Sequence, residues 1–260
     1  MKKQHKLPTI VGLIILIVGV AVGVFLVQTR QTFKLSANPG EEPKNVRITN
    51  ITDSSFTVSW VTAKPTFGYV TYEKSEELLA SGNQPKTNLH HIAIRGLSPS
   101  TNYQFRIGSG ENLFDNEGSP YRTKTAYALK VGKASDIVFG SVVRVDKKPA
   151  VGAIVYLTIA GVSPLSTVVD NDGGWTVDLA GARQAILKEA ASYSENTTLE
   201  VYVQAESQVS TAKIPVGTGR PVPQMTLGEN YNFGNGKTLK SGDSLPASDI
   251  DFGAKDKHND

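Results

Sequence analysis

The 21 consecutive uncharged residues from Leu7 to Val27 constrain this chain more than any other feature. At about 1.5 Å of rise per residue, a helix of that length spans about 30 Å, the thickness of a bilayer's hydrocarbon core. A backbone in lipid must satisfy its own hydrogen bonds, so 7–27 is expected as a single transmembrane helix. Lys2, Lys3, His5 and Lys6 precede the run, while Arg30 and Lys34 follow it. That bias keeps the tail 1–6 cytoplasmic and exports the rest, which places the protein in the cell membrane with its C-terminal part extracytoplasmic. A cleaved signal peptide is the alternative, but its apolar region is usually about 7–15 residues. No small-x-small site follows this run promptly; Ser36-Ala37 comes well beyond it.

Charge divides the chain at the same place. Of 27 Lys and Arg and 24 Asp and Glu, five basic and no acidic residues lie in 1–34, which leaves 22 basic against 24 acidic beyond. The pI near 8.9 therefore reflects the membrane flanks, and no nucleic-acid-binding face is implied. The chain has no cysteine, so exported domains must be held by apolar cores alone. This fits a bacterial or archaeal surface protein. Asn50-Ile51-Thr52 and Asn196-Thr197-Thr198 match the glycosylation sequon and are read as unmodified.

After a polar linker at 28–42, the sequence becomes a series of short alternating segments. Asn45–Thr52 alternates Val46 and Ile48 with polar residues. Ser55–Thr62 sets Phe56, Val58 and Trp60 on one face and Thr57 and Ser59 on the other. Phe67–Glu73, His91–Arg95 and Asn102–Ile107 follow with the same period of two and no helix between them. This is the pattern of an antiparallel β-sandwich. Trp60 together with Leu97-Ser98-Pro99-Ser100-Thr101-Asn102-Tyr103-Gln104-Phe105-Arg106-Ile107 resembles a fibronectin type III domain over 43–126. The resemblance implies that the Tyr103 hydroxyl bonds back to the chain a few residues upstream. The Trp-Val-Thr ending at Thr62 and the His90-His91 pair are similar to the N-terminal domain of purple acid phosphatases. No paired Asp and His clusters suited to two metals follow, so that enzyme is not expected here.

A linker at 127–135 leads to a second pattern. Val138–Val142 reads as a strand, Lys147–Gly152 as a turn, and Ala153, Val155, Leu157 and Ile159 as an inward face. Ser166–Val169 runs into Asp170-Asn171-Asp172-Gly173-Gly174, after which Trp175, Val177 and Leu179 alternate again. This layout resembles a carboxypeptidase regulatory-like, or transthyretin-like, sandwich over 136–228. The Ala-rich stretch Ala180–Ala191 departs from that pattern and is expected as one short inserted helix. Thr198–Ala205 and Val209–Pro215 read as closing strands. From Glu229 the chain is rich in Asn, Gly, Asp, Lys and Ser without apolar period, and 229–260 is expected to be disordered.

No segment carries a convincing catalytic set. Gly234–Thr238 contains Gly-Lys-Thr, but the first glycine of a phosphate loop would fall on Tyr231. Asp170–Gly173 offers hard oxygen ligands yet lacks the distal Glu of a calcium loop, so it reads as a hairpin turn. His90 and His91 are adjacent on a strand and point to opposite faces, which does not suit one zinc ion. Trp60 and Trp175 fall on core-facing positions; Tyr69, Tyr121 and Tyr127 are left as candidate exposed contacts. Ser244–Ser248 is only partly like a sortase signal, and an intradomain Lys–Asn cross-link would have Lys133 as its nearest lysine. No cofactor and no metal is implied.

The expected architecture is thus all-β: two tandem antiparallel immunoglobulin-like sandwiches behind a single N-terminal transmembrane helix, with a disordered C-terminal tail. The expected role is non-catalytic. The sandwiches bind an unidentified protein or glycan partner, or act as a spacer at the cell surface. The alternative is a structural or accessory subunit of an envelope complex or surface hydrolase.

Overall fold

The computed structural model of the protein describes residues 40–74, 77–81, 85–129, 134–235 and 237–239. The apolar run 7–27, its flank 1–6, most of the 28–42 linker, Lys133 and Ser244–Ser248 lie outside these residues. Among the described residues no helix is long and apolar enough to cross a membrane.

The period-two segments form a first sandwich of eight strands: β1 (Lys44–Thr49), β2 (Ser55–Thr66), β3 (Gly68–Lys74), β4 (Glu77–Ser81), β5 (Thr87–Arg95), β6 (Asn102–Ser109), β7 (Asn112–Phe114) and β8 (Tyr121–Lys124). One sheet has the order β1-β2-β5; the other has β4-β3-β6-β7, with β8 also on β6. All pairings are antiparallel. This is the two-sheet arrangement of a fibronectin type III-like domain. Phe56, Val58 and Trp60 of β2 meet Val70, Phe105 and Ile107 from the facing sheet in the core. The Ser98 N–H donates to the Tyr103 hydroxyl at 2.8 Å, the upstream bond that the resemblance implied.

The second sandwich continues with β9 (Ile137–Val143), β10 (Ile154–Ile159), β11 (Leu165–Val168), β12 (Gly174–Asp178), β13 (Thr198–Ala205), β14 (Gln208–Pro215), β15 (Val222–Thr226), β16 (Asn230–Asn232) and β17 (Lys237–Leu239). Its sheets have the orders β11-β10-β13-β14-β16-β17 and β12-β9-β15. Val155, Leu157 and Ile159 of β10 and Val138 and Val142 of β9 share one core with Trp175 and Met225. Trp175 pairs with Gly140 across the β12–β9 ladder. A Cβ at Gly140 would lie 2.9 Å from the indole, so glycine makes room for the ring there.

Three expectations need correction. The sheets are not wholly antiparallel, because β15 runs parallel to β9 and β16 parallel to β14. The helix expected at Ala180–Ala191 is absent: a single 3-10 turn, Leu179–Gly181, is capped by the Asp178 carboxylate. Beyond it the chain doubles back, with the Ala191 N–H on the Ala182 carbonyl and Leu187 at a φ of +61°, which a right-handed helix cannot hold. Ala182 and Ala191 are buried together, so the alanines fill a tight loop rather than a helix face.

Of the segment 229–260 expected to lose order, Asn230–Asn232 and Lys237–Leu239 instead form β16 and β17, while 240–260 lie outside the described residues. Tyr231 is buried against the second core. Its hydroxyl accepts from the Thr226 N–H at 2.8 Å and donates to Glu229 at 2.6 Å. The five-residue spacing and the donor match those of Tyr103 and Ser98. One aromatic residue anchors a strand that composition alone hides.

Candidate functional site

The most elaborate constellation lies where the two sandwiches meet, and both fall within one compact unit. Arg47, Ser59 and His91 stand in register across β1, β2 and β5, all on the face turned away from the first core. Ser166, Tyr156 and Tyr202 stand in register across β11, β10 and β13. The two rows interlock. The Ser59 hydroxyl is 2.8 Å from the Tyr156 hydroxyl, and His91 Nε2 is 2.9 Å from Ser166 Oγ. The Arg47 guanidinium lies between two phenol rings, 4.3 Å from the centroid of Tyr156 and 4.3 Å from that of Tyr202. Leu89 adds an apolar edge against Ile154, Tyr156 and Tyr202.

Asn50 completes the joint. It takes a φ of +52°, a left-handed conformation that Asn tolerates better than most residues. Its Nδ2 donates to the Ser166 carbonyl at 2.9 Å, while the Ser166 N–H donates to its Oδ1 at 2.8 Å. Its own N–H donates to the Pro164 carbonyl at 3.0 Å. The side-chain amide thus occupies the place of a neighbouring strand along β11, the outermost strand of its sheet.

A second strip of contact comes from the loop that replaces the expected helix. The Arg183 guanidinium donates to the Gly181 carbonyl at 2.7 Å and stands 3.9 Å from Asp53 of the first sandwich. The Tyr127 N–H donates to the Leu187 carbonyl at 3.0 Å.

Burial sets the electrostatics of this region. Thr57 and Ser59, on the face of β2 opposite Phe56, Val58 and Trp60, are 3% and 0% exposed because the second sandwich covers that face. Burial lowers the His91 imidazole to about 4 and pushes the Tyr156 phenol up, with Arg47 opposing the latter shift. His90 points the other way, as strand alternation requires. It stacks on Trp60 at 4.6 Å between centroids, bonds Thr66 through Nε2 at 3.1 Å, and is likewise lowered to about 4 by burial. The two histidines therefore do not converge.

The other sequence candidates disperse. Asp170 Oδ1 accepts from the backbone N–H groups of Asp172 and Gly174 at 2.9 and 2.8 Å, which closes a turn. Lys237 and Thr238 lie on β17, without the loop-to-helix geometry of a phosphate cradle. Trp60 and Trp175 are core residues at 0% and 3% exposure. Tyr121 stacks on Phe105 at 5.3 Å, and burial pushes its phenol to about 12. Tyr127 is exposed with the Lys124 ammonium 5.4 Å from its ring, and Tyr69 is half-buried on the outer face of β3. Among the described residues no group of three His, Asp or Glu side chains gathers to hold a metal ion.

Sequence reasoning missed the joint. Its one available signal was the placement of Tyr156 and Tyr202 on positions that alternate with core residues and so face outward.

Residues 43–138 match the family model described as the purple acid phosphatase N-terminal domain. No curated protein matches the sequence. Among solved structures, PhoD is similar at 15% identity and a TM-score of 0.30, over 45% of this chain and 26% of its own length. The chain therefore spans about a quarter of PhoD. The chicken CNTN1 FN1–FN3 domains are similar at 17% identity and a TM-score of 0.27, over 73% of this chain and 68% of theirs. A two-domain fibronectin type III segment of chicken tenascin is similar at 14% identity and a TM-score of 0.25, over 66% of this chain and 98% of its own.

Proposed function

We propose that this is a non-catalytic, membrane-anchored protein whose two sandwiches form one stiff body at the cell surface, presenting a binding face or holding it away from the membrane. The observation that carries this reading is the joint. A flexible tether needs no contact between its domains, whereas here Arg47, Ser59 and His91 are engaged by Tyr156, Tyr202 and Ser166. Inter-domain surfaces of ordinary tandem domains are small and leave hinge motion free. A row of buried, paired polar side chains opposes such motion, since any slip leaves partners buried and unpaired. The charge-free run 7–27 supports the anchor, and the strand layout of 136–228 supports the carboxypeptidase regulatory-like assignment of the second sandwich.

Full-length protein in detergent, spin-labelled once on each sandwich, is expected to give a single narrow inter-label distance. A broad distribution overturns the stiff-body reading. A C-terminal tag removed by protease from intact cells is the outcome expected of the topology. A tag still protected after any outer layer is stripped refutes it. Hydrolase activity in the purified protein would contradict the non-catalytic assignment.

The match of residues 43–138 favours one further reading, an accessory module that serves a phosphoesterase or other hydrolase. That reading predicts a stable enzyme partner after mild detergent extraction, whereas a spacer is recovered alone.

A further inference from the structure

The outer face of the β4-β3-β6-β7 sheet carries an unusual arrangement at one end. Phe67 and Tyr69 are two residues apart along the chain and point away from the core, about 7 Å from one another by strand geometry. Across the ladder they face glycines rather than side chains. Tyr69 pairs with Gly108, and the Gly110 N–H donates to the Phe67 carbonyl at 2.9 Å. A Cβ at Gly108 would lie 2.1 Å from the Tyr69 ring, so the phenol lies across the bare backbone there. One face of the ring rests on glycine and the opposite face is turned from the sheet. Among the described residues no other ring and no cation stacks on it. Phe67 is 52% exposed, with the Lys86 ammonium 5.2 Å from its ring, and Leu113, which pairs with Gly108 from the other side, is 36% exposed.

We infer that this aromatic strip is a stacking platform for a neutral carbohydrate chain. The proposal rests on the binding reading given above, for which it names the face and the class of ligand. Two physical features select a sugar over a protein. The first is area. A stable protein interface needs about 800 Å² per partner, and an aromatic side chain has about 150–250 Å² to bury, so three partly exposed side chains fall far short. A pyranose ring needs no more than one flat apolar face to cover.

The second is the rim. Arg106 lies two residues before Gly108 on the same face of β6, and Asn112 donates to the Glu41 carboxylate at 3.2 Å beside Gly110. With Lys86 these groups supply both donors and acceptors, which suits hydroxyls that donate and accept in turn. Charges of both signs border the strip, so it selects neither an acidic nor a basic polymer. The glycines keep it shallow and continuous, and an extended chain can cross both rings.

The test is calorimetric titration of the full-length protein in detergent with cellohexaose and chitohexaose, with a hyaluronan hexasaccharide as the acidic comparison. Binding of at least one neutral oligosaccharide is expected. Tyr69→Ala is expected to weaken it roughly tenfold or more, the loss seen when a central anchor is truncated. Tyr69→Phe, which keeps the ring, retains most of the affinity. Phe67→Ala, at an exposed position where folding is not at stake, gives a smaller loss and keeps the test independent of any misfolding of the Tyr69 variant. Failure of both neutral probes, equal affinity in the Ala variants, or a preference for the acidic probe overturns the platform. Neutral-glycan binding that survives both Ala variants overturns the site alone and leaves a binding role standing. Absence of all binding leaves the stiff spacer of the previous section, which the spin-label distances test separately.

Discussion

Removing Arg47 should uncouple the two sandwiches without unfolding either. The guanidinium is 4.3 Å from each of two ring centroids, and the residue is only 6% exposed. A cation over an aromatic face contributes roughly 0.5–1 kcal/mol when exposed and about 2 when desolvated, so two such contacts amount to about 2–4 kcal/mol. Arg47→Ala removes both and leaves the phenol rings of Tyr156 and Tyr202 without their filling. With a urea dependence of about 2 kcal/mol per molar, the midpoint falls by about 1–2 M. The molecule supplies its own assay, because its two tryptophans lie one in each core, Trp60 in the first and Trp175 in the second. Trp60→Phe and Trp175→Phe variants therefore report on the two sandwiches separately. With Arg47 present the two transitions should coincide; in Arg47→Ala they should separate. Arg47→Lys, which keeps the charge but not the flat guanidinium, should fall between. Two transitions already apart in the presence of Arg47, or still coincident with an unchanged midpoint in Arg47→Ala, would refute the idea that this side chain couples the domains.

Other outcomes follow from the same geometry. Asn50→Asp replaces the Nδ2 donor with an oxygen aimed at the Ser166 carbonyl, and should destabilise by about 2–3 kcal/mol in urea unfolding, more than Asn50→Ala. His90 and His91 both sit at about 4 in the folded protein, below the ordinary value of 6.5, because burial disfavours the imidazolium. The unfolded chain therefore binds protons first. Stability should be full above about pH 6.5, decline by up to about 1.4 kcal/mol per pH unit for each histidine, and level off once pH falls below 4. His91→Gln, which keeps a donor and an acceptor near Ser166, should remove part of that slope. Tyr231→Phe deletes the acceptor of the Thr226 N–H and should cost about 1–2 kcal/mol, with earlier amide exchange in β16 than in β14.

Much of the fold was legible because alternation is a direct record of which face of a strand is dry. Thr198–Ala205 reads as a strand, and β13 has those bounds. Trp60 and Trp175 were placed inward by their neighbours alone. The failures share a cause: each depends on what lies opposite, which local pattern does not encode. Thr57 and Ser59 alternate as though they faced water, yet another domain covers them and pairs the second with a tyrosine hydroxyl. Ala180–Ala191 has helix-favouring composition, but the loop is held by Arg183 reaching Gly181 and Asp53. Composition predicted disorder beyond Glu229, where one well-placed tyrosine suffices for a short strand. The short strands β4, β7 and β8 lack a run long enough for periodicity to mark them. The Phe67–Tyr69 strip was only partly visible. Tyr69 was one of three tyrosines left as candidate contacts with nothing to single it out, and the glycines opposite it gain meaning only once the register is known.

The position of Asn50 has a consequence for crowding. A sheet's outermost strand offers free main-chain groups to any similar strand nearby, and proteins held side by side on one surface meet at high local concentration. In this molecule the main-chain groups of Ser166 on β11 are already bonded to the amide of Asn50 from within the same chain. The asparagine that fixes the joint also removes a point at which neighbouring copies could zip together. Loss of that one amide would weaken the link between the domains and, at the same moment, open an adhesive seam at the edge of the sheet.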